Sequence, residues 1–263
     1  GMFKSTDGGD TWTELTKNPG LPAGLWGNIG ITVSGANPRR LYANIEADEG
    51  GIFRSDDAGA TWTTTTDDSR VWGRGWYFEK IVVDPTNPDI VFVAAQGYSY
   101  GPQKDRGLYR TTDGGKTWQQ VLFVDENTGA IDVQMDPTNP NKLLAAMWSL
   151  EIRTYGRKSG GPGGGIFMST DGGTTWKKVL YVDPKTGATD LVIDPKNPKV
   201  LFAAMYQRER SSWGFNGGGP GSGIYKSIDA GMTWKKLTNG LPAGDLGRIG
   251  LDIYAADPKV VFA

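Results

Sequence analysis

Asp132 and Asp190 are the two residues whose type and spacing could do chemistry. They stand at one register of a recurring inner strand, where Lys80 takes the same position and Glu79 and Arg248 lie close by. Two carboxylates from neighbouring strands could act as a general acid and a general base. Salt bridging with Lys80 or Arg248 is the competing role, because ion pairs are a common fate of ringed charges. Few other catalysts exist. The chain has no histidine and no cysteine, which excludes a Ser-His-Asp triad, a His base and His- or thiolate-held metals. No metal or cofactor is expected, and any catalysis would run on carboxylates, Tyr, Lys or Arg.

A second group suits binding. Of ten tryptophans, five recur in a fixed phrase described below, and the others are Trp26, Trp72, Trp76, Trp148 and Trp213. These fall in or beside long variable segments (17–27, 67–75, 97–107, 149–164 and 207–223) with Tyr77, Phe78, Tyr98, Tyr100, Tyr155, Tyr206 and Phe215. Arg70, Arg74, Arg153, Arg157, Arg208 and Arg210 are interleaved with them. Variable loops on a rigid scaffold are where function concentrates, and Trp, Tyr and Arg dominate recognition hot spots. The expected ligand surface is therefore Trp26, Trp72, Arg74, Trp76, Tyr77, Tyr98, Tyr100, Trp148, Arg153, Tyr155, Tyr206, Arg208 and Trp213. The plain alternative is that these rings pack between sheets.

The elements that must hold these residues are written in a repeat. The phrase Ser/Thr-x-Asp-Gly/Ala-Gly-x-Thr-Trp occurs five times, with Asp7 and Trp12, Asp57 and Trp62, Asp113 and Trp118, Asp171 and Trp176, and Asp229 and Trp234. The Asp can accept N–H bonds in a tight turn, the Gly permits positive φ, and the Trp opens the next strand. A calcium loop would need further acids at alternating positions. A spacing of 50 to 58 residues between these tryptophans suits a four-stranded propeller blade. The Asp-Pro-x-Asn-Pro turns at Asp84, Asp136 and Asp194 join the first two strands of a blade. Period-two apolar positions (Ile31, Ile81, Val133, Leu191 and Leu251, then Val33, Val83, Met135, Ile193 and Ile253) mark the buried face of the inner strand.

The expected fold is all-β: a single propeller domain over residues 1–263 with about five blades, the ring closed by pairing of the N-terminal and C-terminal strands. An open fragment of a larger protein, or a dimer completing a larger ring, is the alternative to a monomer. No segment reads as a helix. The glycine-rich runs 160–165 and 217–223 lack the Lys-Ser/Thr of a phosphate loop and read as flexible connections. With 28 basic and 29 acidic residues, bulk charge gives no sign of nucleic acid, and no apolar run has the length of a membrane span or a leader.

The fixed phrase resembles the Asp-box (BNR) repeats of sialidases, xyloglucan-cleaving glucanases, sortilin-type receptors and a photosystem assembly factor. Phrases such as Gly107 to Trp118 and Thr128 to Pro137 look most like bacterial sortilin-like or glycosyl-hydrolase-like BNR proteins. The resemblance implies a propeller, and an extracellular or periplasmic setting. Sialidases carry an Arg-Ile-Pro that this chain lacks, so that activity is not expected. The leading expectation is a non-catalytic propeller that binds a glycan or extended peptide, with no nucleic acid and no membrane insertion. A glycoside hydrolase using paired carboxylates and a structural or assembly module of a longer exported protein are the alternatives.

Overall fold

The computed structural model describes residues 1–72 and 80–263, and it is almost entirely β. Arg74, Trp76, Tyr77, Phe78 and Glu79 lie outside the described residues. A two-stranded ribbon, β1 (Phe3–Lys4) and β2 (Thr13–Glu14), comes first. A four-stranded meander follows: β3 (Trp26–Val33), β4 (Leu41–Ala47), β5 (Gly51–Ser55) and β6 (Thr63–Thr66). Next come a single helical turn, α1 (Ser69–Trp72), and a second meander of β7 (Ile81–Val83), β8 (Val91–Ala95), β9 (Gly107–Thr111) and β10 (Gln119–Leu122).

The third repeat is larger. Its strands are β11 (Thr128–Asp136), β12 (Asn139–Arg153), β13 (Gly156–Ser159), β14 (Gly165–Ser169) and β15 (Lys177–Leu180). The fourth has β16 (Thr186–Ile193), β17 (Leu201–Gln207), β18 (Glu209–Ser211), β19 (Gly214–Asn216), β20 (Gly223–Ser227) and β21 (Lys235–Lys236). A last ribbon joins β22 (Asp252–Ile253) to β23 (Val261–Phe262). The chain divides into two compact units, residues 1–93 with 109–119, and residues 94–108 with 120–263.

The repeated turn forms because its side chains satisfy its own backbone. In the second copy the Asp57 carboxylate accepts Thr61 N (2.8 Å), Thr61 Oγ1 (2.6 Å) and Ser55 Oγ (2.8 Å), and Trp62 Nε1 donates to Gly59 O (3.0 Å). The other four copies repeat this pattern at Asp7, Asp113, Asp171 and Asp229. The position after the Asp has positive φ in every copy, which glycine takes without strain and which Ala58 (63°) and Ala230 (66°) take despite their Cβ. The indoles differ in cover: Trp62 is buried, Trp118, Trp176 and Trp234 are half-buried, and Trp12 is exposed.

These bonds make the turns acid-sensitive. Hydrogen bonds from Thr61 and Thr233, followed by those from Ser55 and Ser227, hold Asp57 and Asp229 at about 2. At Asp113 burial works the other way, but Thr117 and Thr111 still bring it to about 2, and Asp7 and Asp171 are also held low. A carboxylate depressed in the folded state stabilises above its unfolded value and loses that contribution as pH falls through the folded one. Cooperative loss of Trp fluorescence is therefore expected between about pH 4 and pH 2. A signal that stays native to the bottom of that window would contradict it.

The positions expected to face the core are buried in the second and third repeats, where Val83 and Met135 are 6% and 8% exposed, but Val33 in the first meander is 53% exposed and Ile193, Leu251 and Ile253 are half-buried. Ile81, Val133 and Leu191 are at most 3% exposed, although Ile31 in the first meander is 48% exposed. Short turns fix the register, as Asp84 Oδ1 accepts Thr86 N (2.7 Å) and Asn87 N (3.0 Å), with the same bonds at Asp136 and Asp194.

Two expectations are corrected. The chain does contain a helical turn: Asp68 caps it by accepting Arg70 N (3.1 Å), and Val71 is buried. The glycine runs are close-packed rather than loose. A Cβ on Gly160 would fall 2.0 Å from the Lys185 carbonyl carbon, and one on Gly163 would fall 2.1 Å from Thr128 Oγ1.

Candidate functional site

The site grows from the overlong β12. Its first part, Leu143 to Met147, pairs with β14 as the repeat requires, and its continuation, Leu150 to Arg153, pairs with β13. Strand β13 then pairs with β18, and β18 with β19, so the two longest connections build a sheet of their own. Neighbours flank the continuation: Ile152 N donates to Ser99 O (2.7 Å) and Leu150 N to Asn127 O (3.1 Å).

Arg106 ties these parts together. It is fully buried, and its guanidinium donates to Asn127 O (2.7 Å), Leu150 O (2.8 Å), Tyr98 O (2.8 Å) and Gly101 O (3.2 Å). Burial pushes the guanidinium down from its usual value, and the charges of Asp125 and Glu151 pull it back. One cation thus fixes three backbone segments beneath two carboxylates.

Register sorts the side chains of this sheet by face. Glu151 stands opposite Lys158, which stands opposite Glu209; one residue along, Ile152, Arg157, Arg210 and Phe215 form the next row. Adjacent residues of a strand point to opposite faces, so the first row is a carboxylate-ammonium-carboxylate line and the second is on the other side. Two cavities adjoin the sheet. One of about 360 Å³ is lined by Asp125, Ser149, Glu151, Arg153 and Lys158 among others. Another of about 330 Å³ is lined by Glu151, Arg153, Tyr155, Lys158, Glu209 and Trp213 among others. Glu151, Arg153 and Lys158 belong to both.

Arg153 is held by Tyr155 Oη (2.6 Å) and Glu151 Oε1 (2.5 Å), in that order the bonds that raise its value. Tyr155 and Trp213 are 59% and 91% exposed, and the Arg153 guanidinium carbon lies 5.8 Å from the Tyr155 ring centre. Asp125 is committed to its turn, accepting Asn127 N (2.8 Å) and Thr128 Oγ1 (2.9 Å). Asp183 and Thr186 repeat that turn one blade later.

The sequence-derived residues divide. Tyr98 and Tyr100 (ring centroids 5.2 Å apart), Arg153, Tyr155, Arg208 and Trp213 lie on or beside this sheet. Trp148 and Tyr206 do not offer a ligand surface: they are 3% and 6% exposed and pack on each other at 6.0 Å. Trp26 and Trp72 belong to the first unit, where Trp26 bonds Pro22 O (3.0 Å) and packs on its core, and Trp72 sits against Gly50.

The aspartates of the inner strands are engaged with backbone. Asp132, 4% exposed, accepts Leu191 N (3.1 Å), and Asp190 accepts Leu251 N (2.7 Å), so each clamps the inner strand of the next repeat. Glu151, Lys158 and Glu209 were not among the expected site residues. The sequence signal is a short Glu-Ile-Arg alternation at 151–153 and wholly polar runs at 157–159 and 207–211.

A family model described as Sortilin-Vps10 (sortilin, neurotensin receptor 3) matches residues 50–180. The xyloglucanase of Acetivibrio thermocellus is 28% identical over 202 residues, covering 66% of this chain and 21% of that protein. The xyloglucanase of Hypocrea jecorina is 29% identical over 285 residues, covering 96% of this chain and 32% of its own length. The chain thus spans a third or less of these relatives. The crystal structure of the GH74 enzyme of Niastella koreensis aligns with a TM-score of 0.62 at 21% identity, over 90% of this chain and 33% of that one. In fold, the chain is an all-β, propeller-type protein like these glycoside-hydrolase relatives.

Proposed function

We propose that this chain is the polysaccharide-contacting part of an extracellular glycoside hydrolase, with a neutral β-glucan such as xyloglucan as substrate. The observation that carries the reading is one row across three strands in which Glu151, Lys158 and Glu209 stand in line, with the exposed rings of Tyr155 and Trp213 on the two neighbouring turns at one end of the sheet. Three adjacent strands put the two glutamate backbones about 10 Å apart, which suits carboxyl groups that leave room for a water and act with inversion. The similarity to xyloglucanases favours this over the non-catalytic binder expected from sequence.

The rings do the holding. Trp213→Ala is expected to weaken retention on xyloglucan in affinity electrophoresis by about tenfold, the loss of one well-placed aromatic contact. Unchanged mobility of the variant would remove Trp213 from the surface.

A further inference from the structure

We propose that the cavity of about 360 Å³ beside Ser149 binds the acetamido group of a neutral N-acetylated sugar. The inference rests on the reading of this sheet as a saccharide surface, and it names an amide-bearing unit where the relatives are named for xyloglucan.

The third and fourth repeats build the same frame at this point. Thr128 stands opposite Ser149 as Thr186 stands opposite Gln207. The loops that follow close with the same bonds: Gly164 N donates to Gly161 O (3.0 Å) and Ser222 N to Gly219 O (2.9 Å), while Lys178 Nζ donates to Pro162 O and Lys236 Nζ to Pro220 O. One side chain differs. In the fourth repeat the Gln207 carboxamide lies over Gly219, where a Cβ would fall 2.4 Å from its Cδ, and its Oε1 accepts Gly221 N (3.0 Å). In the third repeat the shorter Ser149 turns to Thr128, with the two hydroxyl oxygens 2.6 Å apart, and Ser149 and Gly161 line the open cavity instead. The Gly163 N–H, counterpart of the Gly221 N–H, therefore has no carboxamide oxygen to donate to.

A space that the fold fills with a carboxamide in one repeat fits a ligand's amide in the other, because the same backbone groups meet it. The lining suits the rest of the group. Pro102, Leu150 and Pro162 offer apolar surface to its methyl, and the carboxylates of Asp125 and Glu151 can accept its N–H. Those two acids are balanced by Arg153 and Lys158, so the cavity favours a neutral ligand over a charged one.

The test is calorimetric titration of the intact chain with an N-acetylglucosamine oligosaccharide, a cello-oligosaccharide of the same length, xyloglucan oligosaccharides and a glutamine-containing tripeptide. The acetylated sugar is expected to bind about tenfold more tightly than the cello-oligosaccharide, which carries a hydroxyl in place of the acetamido group. Ser149→Gln supplies the carboxamide that Gln207 supplies one repeat later, so it should keep the melting temperature and erase the margin. In the wild-type chain, with no substitution, the Gly163 amide should shift in NMR spectra when the acetylated sugar is added and stay in place with the cello-oligosaccharide. Equal affinity for the two sugars, a folded Ser149→Gln chain with the margin intact, or a Gly163 amide that does not respond overturns the proposal, and binding of xyloglucan in the same series leaves the saccharide-surface reading standing. Tighter binding of the tripeptide than of the acetylated sugar also overturns it and gives the cavity to a protein ligand. Failure of every saccharide to bind overturns both.

Discussion

Arg106→Met should lower the stability of the second unit by about 3–5 kcal/mol, the largest single-residue effect expected in the chain. The substitution keeps apolar volume but strands four carbonyl oxygens that receive guanidinium N–H bonds in a fully buried place. A buried carbonyl left without its donor costs about 1–3 kcal/mol, partly recovered where water or local movement restores a partner. Arg106→Lys keeps the charge, yet a single ammonium has no planar fork to span Asn127, Leu150, Tyr98 and Gly101, so most of the loss should persist. Urea unfolding followed by circular dichroism measures the size. Hydrogen exchange should show the damage at 97–103, 125–129 and 149–153. A variant within about 1 kcal/mol of the parent would mean that these segments hold themselves.

Glu151→Gln and Glu209→Gln should each reduce release of reducing ends from xyloglucan by about 10²–10⁴-fold, the range for a positioned acid or base. Glutamine preserves shape and the packing of both side chains, so binding should change far less than turnover. Glu151 is assigned the base in this proposal, because Arg153 fixes its orientation and it borders both cavities. The spacing of the pair further implies that the first-formed product has inverted anomeric configuration, readable by proton NMR during the reaction. Retained configuration, or full turnover in the double variant, would eliminate the pair. A wild-type chain that binds xyloglucan but releases nothing would leave only the binding half of the proposal.

The scaffold was legible because its determinants are local and repeated. The Asp57 turn and the Asp84 turn each close within a few residues, so residue type alone states their geometry. The site was not, for two reasons. Strands β13, β18 and β19 are short, polar and glycine-flanked, and what makes them strands is pairing with one another across the connections of two repeats. Arg106 stands where the other repeats have Gly50, Gly164 and Ser222, a departure visible in the alignment of repeats, yet its four partners come from 98, 101, 127 and 150. Asp132 and Asp190 show the converse. Their shared register was read correctly, but a carboxylate on an inner strand meets the backbone of the next repeat, and that bond sets its role.

The most direct test of the account is a titration of the isotopically labelled chain with xyloglucan oligosaccharides, following amide shifts by NMR. The shifts should concentrate in 149–162 and 207–216, with the indole N–H of Trp213 among the largest. Shifts confined to other segments, or none at saturating ligand, would contradict the assignment of this sheet as the saccharide surface.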